Sequence, residues 1–550
     1  MKKNSLVFLF LLFSISILAD DPEWVTVNVQ AGGLSKEVKP NMKYDIEALR
    51  VLGSINGTDV LFLREMMGSD RLGNATGKGK LHFLDLSQAH IVGGGNSYYR
   101  YNAGSKDYYT QNNIISDAMF IECPQLAVIA LPGDITEVAY AAFSGCKLLM
   151  RVLFPDGLKS IGQSAFNACS RLDEIELPQG LVKIGEDAFR ETGIKKIKIP
   201  ASVKNVEKQA FVFCKNLTSV EIEGKINTLG NAVFAGCTSL QRVELPNTIE
   251  TFGDGVFQDC SKLWRINIPT ALKSIGEGAF NNCSSLDKIE FPDAVNKIGE
   301  GAFNNCRALK EAHLPASLTK IPTYMFYGCT SLQTVNIPQS CVSIGQCAFY
   351  GCKSLTSMTV EAPIMPQVLM NCFTNANSGC LVEVPNGKAS VYRSDRNWSY
   401  FKFYKESDKQ VYGSTTDELK AKAQKGDLES MFLLGACLVT GKGGFNKNET
   451  EGFNWLIKAA RQNHIKSQAA VGECYHFGRG TAIDYKKAVY WYTKAANAGD
   501  AAAQCNLGRC YLGGQGVPKD RQKAIYWYRV ANKNGSSVAR QNLFELGIYE

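Results

Sequence analysis

Five histidines occur in 550 residues: His82, His90, His313, His464 and His476. None falls in the H-E-x-x-H spacing that sets two imidazoles and a carboxylate on one helix face around zinc. No G-x-S-x-G elbow presents an activated serine. GNATGKGK (Gly73–Lys80) has the glycines and lysines of a phosphate loop, but it is one residue short between the glycines. No hydroxyl follows the lysine to reach magnesium either, so the stretch is rejected as a nucleotide site. Carboxylates are plentiful, yet they recur at repeat positions and form no unique acid–base pair. These types and spacings assign no catalytic residue, no metal site and no cofactor. They point to a protein that is not an enzyme.

The eighteen cysteines are the other reactive groups. Ten stand three residues after a phenylalanine in the pattern A-F-x-x-C, which occurs at Phe120, Phe143, Phe166, Phe189, Phe211, Phe234, Phe257, Phe280, Phe303, Phe326 and Phe349. Nine of the ten steps are 23 residues and one, Phe189 to Phe211, is 22; Thr192 replaces Cys in that short unit. The phrase IGEGAFNNC is repeated outright at Ile275 and Ile298. One Cys per unit, stacked with side chains pointing the same way, does not bring Cβ atoms to the roughly 3.8 Å of a disulfide. C-x-x-C metal spacing is missing. The column therefore reads as small buried hydrophobes. Cys341, Cys347, Cys372 and Cys380 fall outside it and leave a disulfide open in an exported chain.

A fixed period in the twenties with L-x-x-V-x-L-P after the Cys is the mark of a leucine-rich repeat solenoid. LQRVELP (Leu240–Pro246) and LDKIEFP (Leu286–Pro292) are examples. Alternating apolar residues suit a short half-buried strand, and Pro ends it. LKSIG (Leu272–Gly276) starts a second extended segment, and A-F-x-x-C makes a turn or half-turn of helix that sends Phe and Cys inward. Eleven stacked units at ~4.8 Å would extend about 50 Å.

In L-x-x-V-x-L the residues beside the central apolar one point away from the core, onto the concave strand face. One such column runs Arg151, Glu174, Lys196, Ser219, Arg242, Arg265, Lys288, Glu311, Thr334. The other runs Leu153, Glu176, Lys198, Glu221, Glu244, Asn267, Glu290, His313, Asn336. A solvated salt-bridge ladder that keeps an exposed sheet soluble accounts for these columns as well as a ligand does. Trp264 tips the balance, because Trp and Arg dominate interface hot spots. The candidate ligand patch is Arg242, Trp264, Arg265 and Lys288, with Glu244 and Glu290 as the facing acids.

Around the array, LRVLGSINGTDVLFLREM (Leu49–Met66) and LHFLDLSQAHIV (Leu81–Val92) read as irregular repeats of an N-terminal cap. GGGNSYYRYNAGSKDYY (Gly93–Tyr109) reads as a long surface loop. CLVEVPNGKASVYRSDRNWSYFKFYKE (Cys380–Glu406) is the matching C-terminal cap, and KESDKQVYGSTTD (Lys405–Asp417) a polar linker. A second period follows: WLIKAA at Trp455, WYTKAA at Trp491 and WYRVAN at Trp527 are 36 residues apart. Gly441/Gly443, Gly478/Gly480 and Gly514/Gly516 form the turns between them. Two helices per unit make an α-solenoid, with Ala459, Ala495 and Ala531 allowing close packing and Cys437, Cys474 and Cys510 in the core.

MKKNSLVFLFLLFSISILAD at the start has the basic and short apolar regions of a signal peptide. The apolar run is too short for a membrane span, so the mature protein is expected to be exported and soluble. From Gly413 onward 19 basic and 12 acidic residues leave an excess of seven, scattered among carboxylates rather than clustered as nucleic acid requires.

The A-F-x-x-C-x-x-L-x-x-V-x-L-P units, over residues 45 to 405, resemble the BspA-like bacterial surface leucine-rich repeats. Residues 428 to 549 resemble Sel1-like repeats, relatives of tetratricopeptide repeats. G-x-G-V-x-x-D stands in GQGVPKD (Gly514–Asp520), more loosely in GRGTAID (Gly478–Asp484), and GKGGFNKNE (Gly441–Glu449) departs from it by an insertion. The expected fold is an α+β solenoid: a β-rich leucine-rich-repeat solenoid followed by a short all-α Sel1-like one. The segments are a signal peptide (1–19), an N-terminal cap (20–119), the repeat array (120–363), its C-terminal cap (364–406), a linker and first helix (407–427) and Sel1-like repeats (428–550). The resemblance implies an exported, cell-surface or envelope protein that binds proteins of a host, a neighbouring cell or the envelope. Neither nucleic acid nor stable membrane insertion is expected. An adhesin is the first expectation and a periplasmic scaffold for envelope complexes the second.

Overall fold

The computed structural model describes residues 22–101, 106–407, 416–441 and 445–548. The segment expected to be a signal peptide, part of the expected polar linker and Gly443 lie outside the described residues. The chain divides into two compact units: Met1–Asn336, Ile344–Ser357 and Leu369–Cys380 make the first, and Ile337–Ser343, Met358–Val368 and Leu381–Glu550 the second.

The first unit is a parallel β-solenoid with the 23-residue period. Each coil has a first strand from L-x-x-V-x-L, a second strand from x-x-I-G, and the A-F-x-x-C turn. First strands pair in parallel with inward apolar residues opposite one another, such as Ile197 with Val220 and Val243 with Ile266. The N-terminal cap continues the same ladder: Trp24–Val29, Ala48–Ile55, Phe83–Ile91, Val128–Ala130 and Arg151–Leu153 form one sheet. That sheet stops there. Residues 174–177 belong to no strand, and a new sheet begins at Lys196–Ile199 and ends at Arg265–Ile266. Second strands are interrupted too, between Asn205–Val206 and Thr228–Leu229.

The turn ladder is the uninterrupted one. In every coil from Ala118 to Gly351 the N–H of Phe and of the residues two before and two after it donates to a carbonyl of the next coil, at 2.7–3.4 Å. Ser164, Phe166 and Ala168, for example, bond Glu186, Ala188 and Arg190, each at 2.8 Å. This geometry places the residues two before and two after Phe in the left-handed region, Ala141 (φ 51) and Gly145 (φ 76) among them. Side-chain stacking follows the backbone: the Phe rings from Phe120 to Phe349 lie 5.2–6.0 Å apart and within 25° of parallel. The Cys column is buried as expected, with a role beyond its size. Each thiol from Cys146 to Cys352 donates to the Phe carbonyl of the preceding coil at 3.0–3.3 Å. Burial pushes these thiols up, Cys329 to about 12, so they stay protonated donors; Cys214 is the exception, where burial is outweighed by bonds from Cys237 and Thr192 that lower it. In the short coil the Thr192 hydroxyl bonds the Phe189 carbonyl at 2.9 Å instead.

A ladder whose N–H groups all point toward the next coil leaves its first carbonyls without donors. These belong to Asp117, Met119 and Ile121. The Tyr98 hydroxyl donates to Asp117 at 2.6 Å, and Arg64 Nη1 to Ile121 at 2.9 Å and Met119 at 3.3 Å. Arg64 is fully buried. Aligned peptides carry partial negative charge at their carbonyl end, and no carboxylate is needed to hold this cation there. Tyr98 corrects the loop expected over Gly93–Tyr109. Gly94–Tyr101 and Lys106–Thr110 form an antiparallel hairpin, pinned by Asp107 to Arg71 and Arg100, both at 2.7 Å. The run of Tyr and Gly that resembles a loop is a strand whose Tyr98 and Tyr99 are buried against the ladder's end.

The two glycines of IGEG have separate causes. A Cβ on Gly276 would lie 2.5 Å from the Gly253 carbonyl carbon of the preceding coil, so a side chain here would force these two coils to shift. Gly278 has φ 59 and a Cβ there would meet nothing closer than 3.7 Å, and other coils hold Ala, Ser or Asp at its position.

In the second unit Leu381–Val384 pairs in parallel with Phe403–Glu406, and buried Trp398 donates to the Pro366 carbonyl at 3.2 Å. Consecutive helices follow from Leu428–Thr440 to Ser537–Glu545. The G-x-G…D motif is a pair of caps. Gly478 and Gly514 end one helix in the left-handed conformation, and Asp484 and Asp520 accept from the N–H three residues on to start the next. A Cβ on Gly480 or Gly516 would lie 2.0 or 2.2 Å from a carbonyl of the preceding repeat. Ala459, Ala495 and Ala531 are fully buried, and Cys437, Cys474 and Cys510 lie in the core.

Candidate ligand-binding face

Parallel pairing sets the outward columns of the first-strand face. One runs Trp24, Ala48, Phe83, Val128, Arg151 and the other Thr26, Arg50, Asp85, Ala130, Leu153. Further along, Lys196, Ser219, Arg242 and Arg265 stand opposite one another, beside Lys198, Glu221 and Glu244.

The face therefore changes character along its length. Trp24, Ala48, Phe83, Ala127, Val128, Ala130, Met150 and Leu153 pack as one apolar cluster on the early coils. The later coils carry ion pairs. Arg242 bonds Glu244 two residues on, Lys288 bonds Glu290 at 2.5 Å, and Lys198 bridges Glu223 at 2.8 Å and Glu221 at 3.4 Å. The hydrogen bond from Lys288 holds the Glu290 carboxyl below its usual range. These pairs are solvent-exposed and each is worth little.

Of the sequence-derived patch, Arg242 and Glu244 lie on one strand, Arg265 on the adjacent one and Trp264 immediately before it. Lys288 and Glu290 lie on Lys288–Glu290, which starts a separate sheet. Trp264 is 52% exposed, the largest exposed apolar side chain on the later coils. Arg265 has no ion-pair partner among the described residues, so Trp264 stands beside an uncompensated cation. Asn267 and Asn336 stand in these columns with their amides committed to backbone of the preceding coil. The Asn267 amide turns back to bond both N–H and C=O of Leu245 at 2.8 Å, and Asn336 clamps Leu314 the same way.

Two cavities open on this face. One of about 570 Å³ lies where residues 174–177 leave the ladder, lined by Asp85, Leu153, Phe154, Asp156, Ile175 and Glu176 among others. The next, about 520 Å³, is lined by Ile175, Lys196, Lys198, Glu221, Arg242 and Glu244. Arg242 and Glu244 thus line the second of these cavities, and Trp264, Arg265, Lys288 and Glu290 line neither of the two. Sequence reasoning missed the larger cavity although its columns held the lining residues Leu153, Glu176 and Lys198, because residues 174–177 obey the repeat pattern while their backbone leaves the ladder. Among the described residues no group of His, Cys, Asp and Glu is arranged to hold a metal, and no helix is long and apolar enough to cross a membrane.

Comparison with known proteins gives matches over both regions. A model of the BspA type leucine rich repeat region matches residues 94–218, 204–332 and 297–392. A Sel1 repeat model matches 428–464, 465–500 and 501–536. Among solved structures, a leucine-rich repeat protein from Bacteroides ovatus is 26% identical over 56% of this chain and 90% of its own, with a TM-score of 0.30. The T. pallidum leucine rich repeat protein is 30% identical over 29% of this chain and 78% of its own, TM-score 0.28. A Sel1 repeat protein from Oxalobacter formigenes is 37% identical over 24% of this chain and 97% of its own, TM-score 0.22. No curated protein matches.

Proposed function

We propose that this chain, a member of the BspA-type leucine-rich repeat family that also carries Sel1 repeats, is an exported, non-enzymatic adhesin or ligand-binding protein of the cell surface. Both repeat families are of the protein-interaction kind, and the partner is held on the first-strand face. The observation that carries this reading is the pair of adjoining cavities on that face, next to an exposed Trp264 and an uncompensated Arg265. Rigid coils supply the support and outward side chains supply the specificity, which is how solenoids recognise macromolecules. The basic and apolar opening of the sequence supports export.

The helical repeats favour a second reading, a periplasmic scaffold. Tyr490 and Tyr526 occupy the same place in successive repeats and are 53% and 59% exposed, while their neighbours Tyr492 and Tyr528 are buried. Exposed aromatics at repeat spacing suit a protein partner.

Protease shaving of intact cells followed by mass spectrometry separates the two. Release of peptides from residues 120 to 360, with periplasmic markers intact, is the expected result. Protection until the outer envelope is opened rejects the adhesin and leaves the scaffold. Once a partner is captured, Trp264→Ala is expected to weaken it. Unchanged capture removes Trp264 and Arg265 from the site.

A further inference from the structure

The larger cavity has a composition unlike the rest of the strand face, and that composition selects an occupant. Its floor is apolar: Leu153 stands in an outward column that from Glu176 onward holds only polar residues, and Phe154 and Ile175 continue it. Apolar surface left on a soluble solenoid face marks an interaction site. The opening exists because residues 174–177 belong to no strand, while the turn ladder beneath continues without a break.

Four charged side chains line the cavity, and two of them are paired. Asp85 is bound to Arg50 at 2.8 Å and Lys198 to Glu223 at 2.8 Å. Asp156 and Glu176 are exposed, line the cavity and have no ion-pair partner among the described residues. The uncompensated rim charge is therefore negative above an apolar floor.

We propose that this groove binds an extended peptide segment in which an apolar side chain is flanked by lysine or arginine. The inference rests on the strand-face reading above. In an extended peptide alternate side chains point to opposite sides, so one apolar residue enters the cavity and its basic neighbours reach Asp156 and Glu176. An acidic segment meets like charge at both rim positions, and a polar one leaves the floor unfilled.

The test is titration calorimetry of the full mature chain with three peptides of equal length, alternating Leu–Lys, Leu–Glu and Ser–Lys. Only the Leu–Lys peptide is expected to bind. Glu176→Lys and Asp156→Lys each weaken it about tenfold at low salt, less at high salt where exposed charges are screened. Leu153→Asp abolishes it, and if that variant does not fold, the exposed Glu176 and Asp156 still decide the matter. Failure of the Leu–Lys peptide, equal binding of Leu–Glu, or charge reversals that leave the affinity unchanged overturns the groove assignment. The strand-face reading survives that failure if Trp264→Ala still weakens a captured partner. A partner indifferent to Trp264→Ala, Glu244→Lys and Glu176→Lys removes both.

Discussion

Within the same coils the A-F-x-x-C turn and the first strand solve the problem of stacking in opposite ways. The turn ladder runs unbroken from Ala118 to Gly351, with three backbone bonds, one ring stack and one thiol bond per step in nearly every coil. The first-strand ladder breaks at residues 174–177 and again after Arg265–Ile266. The turn commits its Phe, its Cys and the residue before Phe to the core, whereas the first strand commits only its central residue and leaves two outward. The difference teaches where this fold can afford variation: a continuous spine on one side frees the other side to open cavities and carry charge.

The predictions below break or sharpen that contrast, from the largest effect down. Phe280→Ala removes one ring from the stack and is expected to cost about 3–5 kcal/mol. Gly276→Ala is expected to cost several times more than Gly278→Ala, because only the first drives a Cβ into backbone. Equal effects would mean that the glycines serve the turn's φ angles, not the coil approach. Both are read by denaturant unfolding. Arg64→Met strips the donors from Met119 and Ile121 and should cost about 3 kcal/mol. The loss should concentrate in the first coils, read as faster amide exchange from residues 118 to 145. In the unaltered protein the turn-ladder amides should all exchange slowly and residues 174–177 quickly; uniform protection would erase the contrast. Cys283→Ala, which deletes one thiol bond, should cost about 1 kcal/mol.

A pH effect belongs to the helical unit. Bonds from His464 and Lys466 to Glu429 lower its carboxyl to about 2, against an ordinary 4.5. A carboxyl lowered in the folded state stabilises above its unfolded value and loses that contribution as pH falls from about 4.5 toward 2. Glu429→Gln should flatten the acid limb of helical stability over that window. The smallest effect is on the strand face: Lys288→Ala, in an exposed pair, should leave the melting midpoint unchanged. A clear loss there would show that the charged columns are structural and weaken their reading as a ligand surface.

Much of this was legible beforehand because repetition averages out local ambiguity. Phe, Cys and Leu at fixed spacing identify the inward positions, and the 36-residue Trp spacing with G-x-G turns identifies the helical pairs. The hairpin at Gly94–Thr110 was hidden, since its Tyr and Gly content matches a loop and its stability comes from distant Asp117, Arg71 and Asp107. The larger cavity was hidden because Ile175 and Glu176 obey the repeat pattern as well as any other coil. Nothing in their types announces that their backbone leaves the ladder.

The sequence by itself determined the coil: period, inward columns, strand ends at Pro and helix caps at Gly and Asp, all of which are local or nearest-neighbour properties. Tertiary structure alone decided which ladder is continuous, how Arg64 closes its carbonyl end and where the strand face opens. Those depend on hydrogen bonds between coils and on residues far apart in sequence, whose partners no spacing within a single repeat can specify.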